Sequence, residues 1–285
     1  SGIYWFKAEK LSGLLDKLGN NNAAGEYYLT DTVAVAEKKG VYTADSTDVV
    51  LGANSRSQLA ALNEVARKRK LAELMDEGVD IPLSDGIIIG KDVKIGHDTV
   101  ILPNTIIKGK TVIGNGCEIG PNSYIADCVI EDNVILNNVQ AHESKVDSKA
   151  KAGPFVHLRP NTHLHSGVKI GDFVEVKNSE IGINTCIAHL TYIGDSDVGK
   201  GVNFGCGCVT ANYDGIKKYR TTIGDNAFIG CNTNLIAPVT IGDNATTAAG
   251  STITKNVPAD SLAVERGQTR IIEHWEKNSK RIKKA

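Results

Sequence analysis

The chain has 285 residues, with 32 Lys and Arg against 33 Asp and Glu and a formal net charge of -1, which removes any global electrostatic attraction to nucleic acid or to an anionic membrane. No apolar run approaches the length of a bilayer span, and Ser1-Gly2-Ile3-Tyr4-Trp5-Phe6-Lys7 lacks the basic-then-apolar layout of a secretion signal. These bounds predict a cytoplasmic protein of more than one unit, in which any anion-binding site is local.

Residues 1–53 carry no repeat. They read as a strand-like Ile3-Tyr4-Trp5-Phe6, a helical Lys10 to Leu18, an Asn-rich turn and a second helical run from Thr30 to Lys39. Residues 54–80 read as a long amphipathic linker helix: Leu59, Leu62, Val65, Leu71 and Leu74 recur among Ala, Arg, Lys and Glu, with no Gly or Pro before Gly78. Asn54 or Ser55 is placed to cap its start, and Gly78 and Pro82 to end it.

Residues 81–257 keep a six-residue beat. Ile89, Ile95, Ile101, Ile107, Ile113, Ile119 and Ile125 fall at that step, which resumes at Leu158, Leu164, Ile170 and Val176, again at Ile181, Ile187 and Ile193, and finally at Ile223, Ile229, Leu235 and Ile241. One aliphatic residue in six means one inward side chain per short strand, and three hexads close a coil of about 18 residues that stacks on the last at ~4.8 Å. Gly, Asn and Asp at Gly96-His97-Asp98, Gly114-Asn115-Gly116 and Gly242-Asp243-Asn244 suit the turns between flat faces. The pattern resembles the left-handed parallel β-helix of hexapeptide acyltransferases, and the handedness rests on that resemblance. The beat drifts between Glu131 and Ala152, and its longest interruption is Asn212 to Thr221. Residues 258–285 read as a C-terminal tail, basic from Thr269 onward, suited to solubility or to packing on a neighbour. The six cysteines form no CxxC pair and read as small apolar residues.

Three features in the middle coils suggest chemistry. Arg159 and Lys177 lie eighteen residues, one coil, apart and, with Lys218, make a cationic group suited to phosphate. Glu175 and His189 pair a carboxylate with an imidazole, the arrangement of an oriented general base. The run Asn203-Phe204-Gly205-Cys206-Gly207-Cys208 and the loop Asn212-Tyr213-Asp214-Gly215 let a long ligand approach the backbone, with amides able to polarise a carbonyl. Two competing readings are a zinc site of His157, His163, His165 and His189 between subunits, as in the β-helical carbonic anhydrases, and a non-catalytic scaffold. The former lacks a third ligand at a matching coil position, and the latter leaves these groups without a task.

The segments Gly25-Glu26-Tyr27-Tyr28-Leu29-Thr30-Asp31, Leu51-Gly52-Ala53-Asn54-Ser55-Arg56, Leu158-Arg159-Pro160, Gly171-Asp172-Phe173-Val174-Glu175-Val176-Lys177, His189-Leu190-Thr191-Tyr192-Ile193-Gly194-Asp195, Asn212-Tyr213-Asp214-Gly215 and Ala237-Pro238-Val239-Thr240 resemble the bifunctional bacterial GlmU family. Its members are N-acetylglucosamine-1-phosphate uridyltransferases and glucosamine-1-phosphate N-acetyltransferases that make UDP-N-acetylglucosamine. The resemblance implies acetyl transfer from acetyl-CoA to the amine of glucosamine 1-phosphate, with His189 as base, Glu175 holding it and Asn212 at the reacting acetyl group. It places Arg159, Lys177, Tyr192, Asn203 and Lys218 on the sugar phosphate, and Cys206, Asn212, Tyr213, Cys231, Ala249 and Arg266 along the coenzyme A path. It further implies a homotrimer with sites between subunits, and a reading of residues 1–53 as the remnant of an α/β uridyltransferase domain. Cys231 and Cys206 depart from the Ser and Ala of some members. The family's Gly-rich nucleotide loop and its Mg²⁺-binding Asp have no counterpart here, so Asn54, the remaining Mg²⁺ ligand, is expected to bind metal poorly and uridylyl transfer to be lost.

Overall fold

The computed structural model describes residues 3–274, so most of the expected basic tail lies outside the described residues. The chain divides into two compact units, Ser1–Lys68 and Arg69–Ala285, and the division falls within the helix Arg56–Asp76. Among the described residues no helix is long and apolar enough to cross a membrane.

In the first unit the described residues form helices Ala8–Leu15 and Asp31–Val35, a 3-10 turn Thr47–Val50 and the start of the long helix, with no strand. The strand expected at Ile3–Phe6 is not formed, and Trp5 is 96% exposed. An isolated strand has no backbone partners to satisfy it. The α/β character expected of residues 1–53 is therefore not supported. Thr32 is the one buried residue described in this unit.

The long helix starts on a reciprocal cap. Ser55 Oγ accepts from the Gln58 amide at 3.2 Å, and Gln58 Oε1 accepts from the Asn54 amide at 2.7 Å. It ends where Gly78 adopts φ 93°, with the Val79 amide donating to Leu74 at 2.9 Å and the Gly78 amide to Met75 at 3.1 Å. That left-handed C-cap satisfies two terminal carbonyls and turns the chain into the solenoid. Of the expected apolar stripe, Leu71 and Leu74 are buried against the first coil, while Leu59 is exposed.

The second unit is a parallel β-solenoid in which every third strand joins the same sheet. The first face holds ten strands from Ile88–Ile89 to Thr252–Ile253, the second nine and the third ten. Ile101, Ile107, Ile119, Ile125, Leu158, Leu164, Ile187, Ile193 and Ile229 point inward and are fully buried, and of the beat residues only Ile95 is partly buried. Asp98, Gly116 and Asn244 hold φ of 59°, 63° and 55° at the turns marked in the sequence. The drift after Glu131 is a shorter coil, not a break: Ile125 lies opposite Ala141 and Leu136 opposite Ala152, each sixteen positions on. Two residues are missing from that coil, and alanine fills the beat. At the interruption, Thr210 lies opposite Leu235, twenty-five positions on, so the Asn212 segment is an excursion that leaves the stacking intact.

Candidate active site

His189 ends the strand Cys186–His189 of the third face, where the chain turns into the first face. Leu190 makes that corner at φ 46°, and the Thr191 hydroxyl, buried, donates to the His189 carbonyl at 2.7 Å. With Ile187 fully buried in the core, the imidazole two positions on is left exposed at the corner.

A column of residues runs along this edge. The amide of Gly207 donates to the His189 carbonyl at 3.4 Å, that of Asn232 to Cys206 at 2.8 Å, and that of Gly250 to Cys231 at 2.8 Å. His189, Cys206, Cys231 and Ala249 thus stand one coil apart, three rungs of ~4.8 Å or about 14 Å in all. Arg266 reaches back onto the far end, its guanidinium donating to the Ala249 carbonyl at 3.0 Å. Four residues expected on the coenzyme path therefore adjoin one line that starts at the imidazole. The backbone is tight here. A Cβ on Gly205 would lie 2.5 Å from the Cys231 nitrogen, so only glycine lets the two coils approach at this point. Cys206 is half-buried and Cys231 exposed, whereas burial pushes the neighbouring Cys208 thiol up to about 11.

The first face carries the cations. Leu158 lies opposite Val176, which sets Arg159 beside Lys177 as their eighteen-residue spacing predicts. Arg159 is held by Glu175, its guanidinium donating through Nη1 at 2.8 Å. This is the main difference from expectation. Glu175 holds Arg159, and the His189 ring has no hydrogen bond or ion pair among the described residues. The geometry explains it: Glu175 opens a strand of the first face opposite His157, two residues from Arg159, whereas His189 lies around the corner with Asp172 as its register neighbour. Tyr192 is the next residue above Glu175 on the first face, and Asn203 lies exposed on the third face opposite Cys186.

Lys177 meets Lys218 of the excursion. The Lys218 ammonium beside it, and then burial, hold Lys177 below the usual lysine value. Two like charges brought together are a site for an anion. Beneath them lies Asp195, 5% exposed, whose carboxylate accepts from the side-chain amides of Asn178 and Asn212. Burial pushes its carboxyl up, but the two amides and the Lys177 and Lys218 charges outweigh that and hold it below the ordinary carboxylate value.

Asn212 is therefore a buried anchor at the base of the excursion rather than a free donor. Its carbonyl accepts from the Tyr219 amide at 2.8 Å, and Asp214 Oδ1 accepts from the Ile216 and Lys217 amides at 2.7 Å each, which shapes the tip. Tyr213 and Ile216 are exposed there, Ile216 by 84%. The excursion leaves the first face at the edge opposite the one that carries His189.

Asp195 escaped the sequence reading. Its signal was present: Asn161, Asn178, Asp195 and Asn212 recur every seventeen residues, and the one carboxylate among three amides marks the exception. The proposed four-histidine zinc site is not assembled within one chain, because His157 and His189 lie on different faces from His163 and His165. Among the described residues the one cluster of three or more His, Cys, Asp or Glu able to share an ion is Asp147, His163 and His165, which does not include a carboxylate partner for Asn54. The residues present do not fit a Mg²⁺ site.

Residues 220–255 match the family described as bacterial transferase hexapeptide (six repeats). The bifunctional protein GlmU of Acetivibrio thermocellus is 50% identical over 279 residues, covering 96% of this chain and 60% of that protein. That of Clostridium acetobutylicum is 48% identical, covering 96% and 61%, and that of Desulfitobacterium hafniense is 45% identical, covering 99% and 63%. The chain, a left-handed hexapeptide-repeat solenoid and the segment before it, is thus similar over nearly its whole length to proteins named bifunctional protein GlmU, and spans about 60% of the length of the relatives it matches.

Proposed function

We propose that this chain transfers the acetyl group of acetyl-CoA to the amine of glucosamine 1-phosphate. The observation that carries the reading is the column His189, Cys206, Cys231, Ala249, which lines up an exposed imidazole with a straight edge along which a long thiol-bearing arm can lie, beside a face that holds a lysine pair. The relatives named bifunctional protein GlmU support it.

The chemistry follows from the groups. A protonated amine has no lone pair to donate, so His189 removes a proton from it. The freed lone pair attacks the thioester carbonyl carbon, a C–N bond forms as the C–S bond breaks, the departing thiolate takes the proton from His189, and the second proton of the nitrogen passes through the freed imidazole to solvent. Lys177 and Lys218, with Arg159 beside them, hold the phosphate, and Tyr192 lines the sugar side. Holding both reactants in one seam supplies much of the acceleration.

The site is completed by neighbouring copies of this chain in a trimer. Phe155, Phe173 and Leu190 stand one above another on the His189 edge at φ of 57°, 58° and 46°, all exposed, with the two phenyl rings stacked at 5.2 Å. An apolar ridge of this kind favours a protein neighbour. The excursion projects Tyr213 and Lys218 from the opposite edge of the first face, where it reaches the next copy and brings the Tyr213 segment to the acetyl group. The test is thiol release from acetyl-CoA, with and without glucosamine 1-phosphate. Sugar-dependent release supports the reading, and its absence in a folded, oligomeric preparation overturns it.

A further inference from the structure

Away from that edge, four polar side chains meet on the second face. Val146, Leu164 and Ile181 stack inward there and are buried, so their neighbours Asp147, His163, His165 and Glu180 point outward on three consecutive coils. His163 and His165 flank Leu164 on one strand turn, and their ring centroids are 4.0 Å apart. Asp147 comes from the coil on one side and Glu180 from the coil on the other.

The contacts form a closed mesh. His163 Nε2 lies 2.9 Å from Asp147 Oδ1, and His163 Nδ1 lies 2.9 Å from Glu180 Oε2. His165 Nδ1 lies 3.2 Å from Asp147 Oδ2, and His165 Nε2 lies 3.0 Å from Glu180 Oε2. Lys145 Nζ sits 2.9 Å from Asp147 Oδ1, the oxygen that also meets His163, and orients that carboxylate with Oδ2 toward His165. One donor atom each from Asp147, His163 and His165 fits within a sphere of mutual distances below 4.8 Å. A tetrahedral zinc with bonds of ~2.0–2.1 Å needs donors about 3.3 Å apart, close to the spacings already present.

We infer that Asp147, His163 and His165 form a zinc-binding site on the second face that ties two consecutive coils together. Two imidazole nitrogens and a carboxylate suit Zn²⁺, whereas Mg²⁺ and Ca²⁺ call for all-oxygen donors. The site lies on the second face, whereas His189 ends a strand of the third, so the metal takes no part in acetyl transfer. Asp147 lies eighteen residues, one coil, before His165, but in the stretch where the six-residue beat drifts, and its place in register shows it to be the third ligand.

The test is equilibrium dialysis of the full chain against zinc chloride at micromolar free metal, with bound metal counted, followed by Co²⁺ substitution. One zinc per chain, the intense visible bands of tetrahedral Co²⁺, and a zinc-dependent rise in Tm are the expected results. His165→Gln and, separately, Asp147→Asn should each weaken zinc binding by at least about 100-fold, with circular dichroism showing that both variants fold. No retained zinc, octahedral Co²⁺, or unchanged binding in both folded variants overturns the assignment. Chelation should leave acetyl transfer intact, so this outcome is independent of the proposed catalytic role.

Discussion

The Lys218 ammonium lies against that of Lys177 and lowers its affinity for a proton. A group that binds protons less tightly in the folded chain than in the unfolded one costs stability while it is charged, and the cost is relieved as pH rises through the lowered value. A phosphate between the two lysines would relieve it at neutral pH. Lys218→Met should therefore raise Tm slightly without ligand while raising the KM for glucosamine 1-phosphate by about 10- to 100-fold, the loss of one charge-assisted hydrogen bond. Thermal melts with and without inorganic phosphate, alongside steady-state kinetics, check both halves.

Glu175 offers a choice between two roles. If it orients His189, Glu175→Gln should depress kcat and move the pH profile. The 2.8 Å bond to Arg159 instead makes it a positioning residue for a phosphate-binding guanidinium. Both side chains are more than a third exposed, so the effect is modest: KM for the sugar phosphate rises about 2- to 5-fold and the pH profile of kcat stays put. A tenfold or larger fall in kcat would return Glu175 to the imidazole.

Asp195 carries a stability prediction. Its carboxyl is held below the ordinary value, so it favours the folded state above the unfolded pKa of about 3.9, and that contribution is lost as pH falls through the lowered folded value. Asp195→Ala strands two side-chain amides and should destabilise the chain by about 2–4 kcal/mol at neutral pH. Urea unfolding at pH 7 and again below pH 3 separates the two regimes: the gap between wild type and variant should narrow in acid.

The solenoid was legible because each inward residue repeats the demand of the last. The beat at Ile101, Ile107 and Ile119 and the turn residues Asp98 and Asn244 are local signals with a fixed period. What lay hidden depended on register. The sixteen-residue coil that sets Ile125 opposite Ala141 makes the beat read as drifting there, so Asp147 and His165 go unpaired in the sequence although they lie eighteen residues, one coil, apart. Arg159 and Lys177 were placed correctly as neighbours, yet whether Glu175 turns to the arginine or around the corner to His189 depends on side-chain geometry that spacing does not encode. The strand expected at Ile3–Phe6 had the composition of a strand but nothing to pair with.

The most direct measurement is the rate of thiol release from acetyl-CoA with saturating glucosamine 1-phosphate for the wild-type chain and for His189→Ala. Sugar-dependent turnover in the wild type, falling by roughly 10²- to 10⁴-fold in the variant with little change in either KM, is the predicted result. Turnover that survives intact in His189→Ala would contradict the role given to the imidazole at the head of the column.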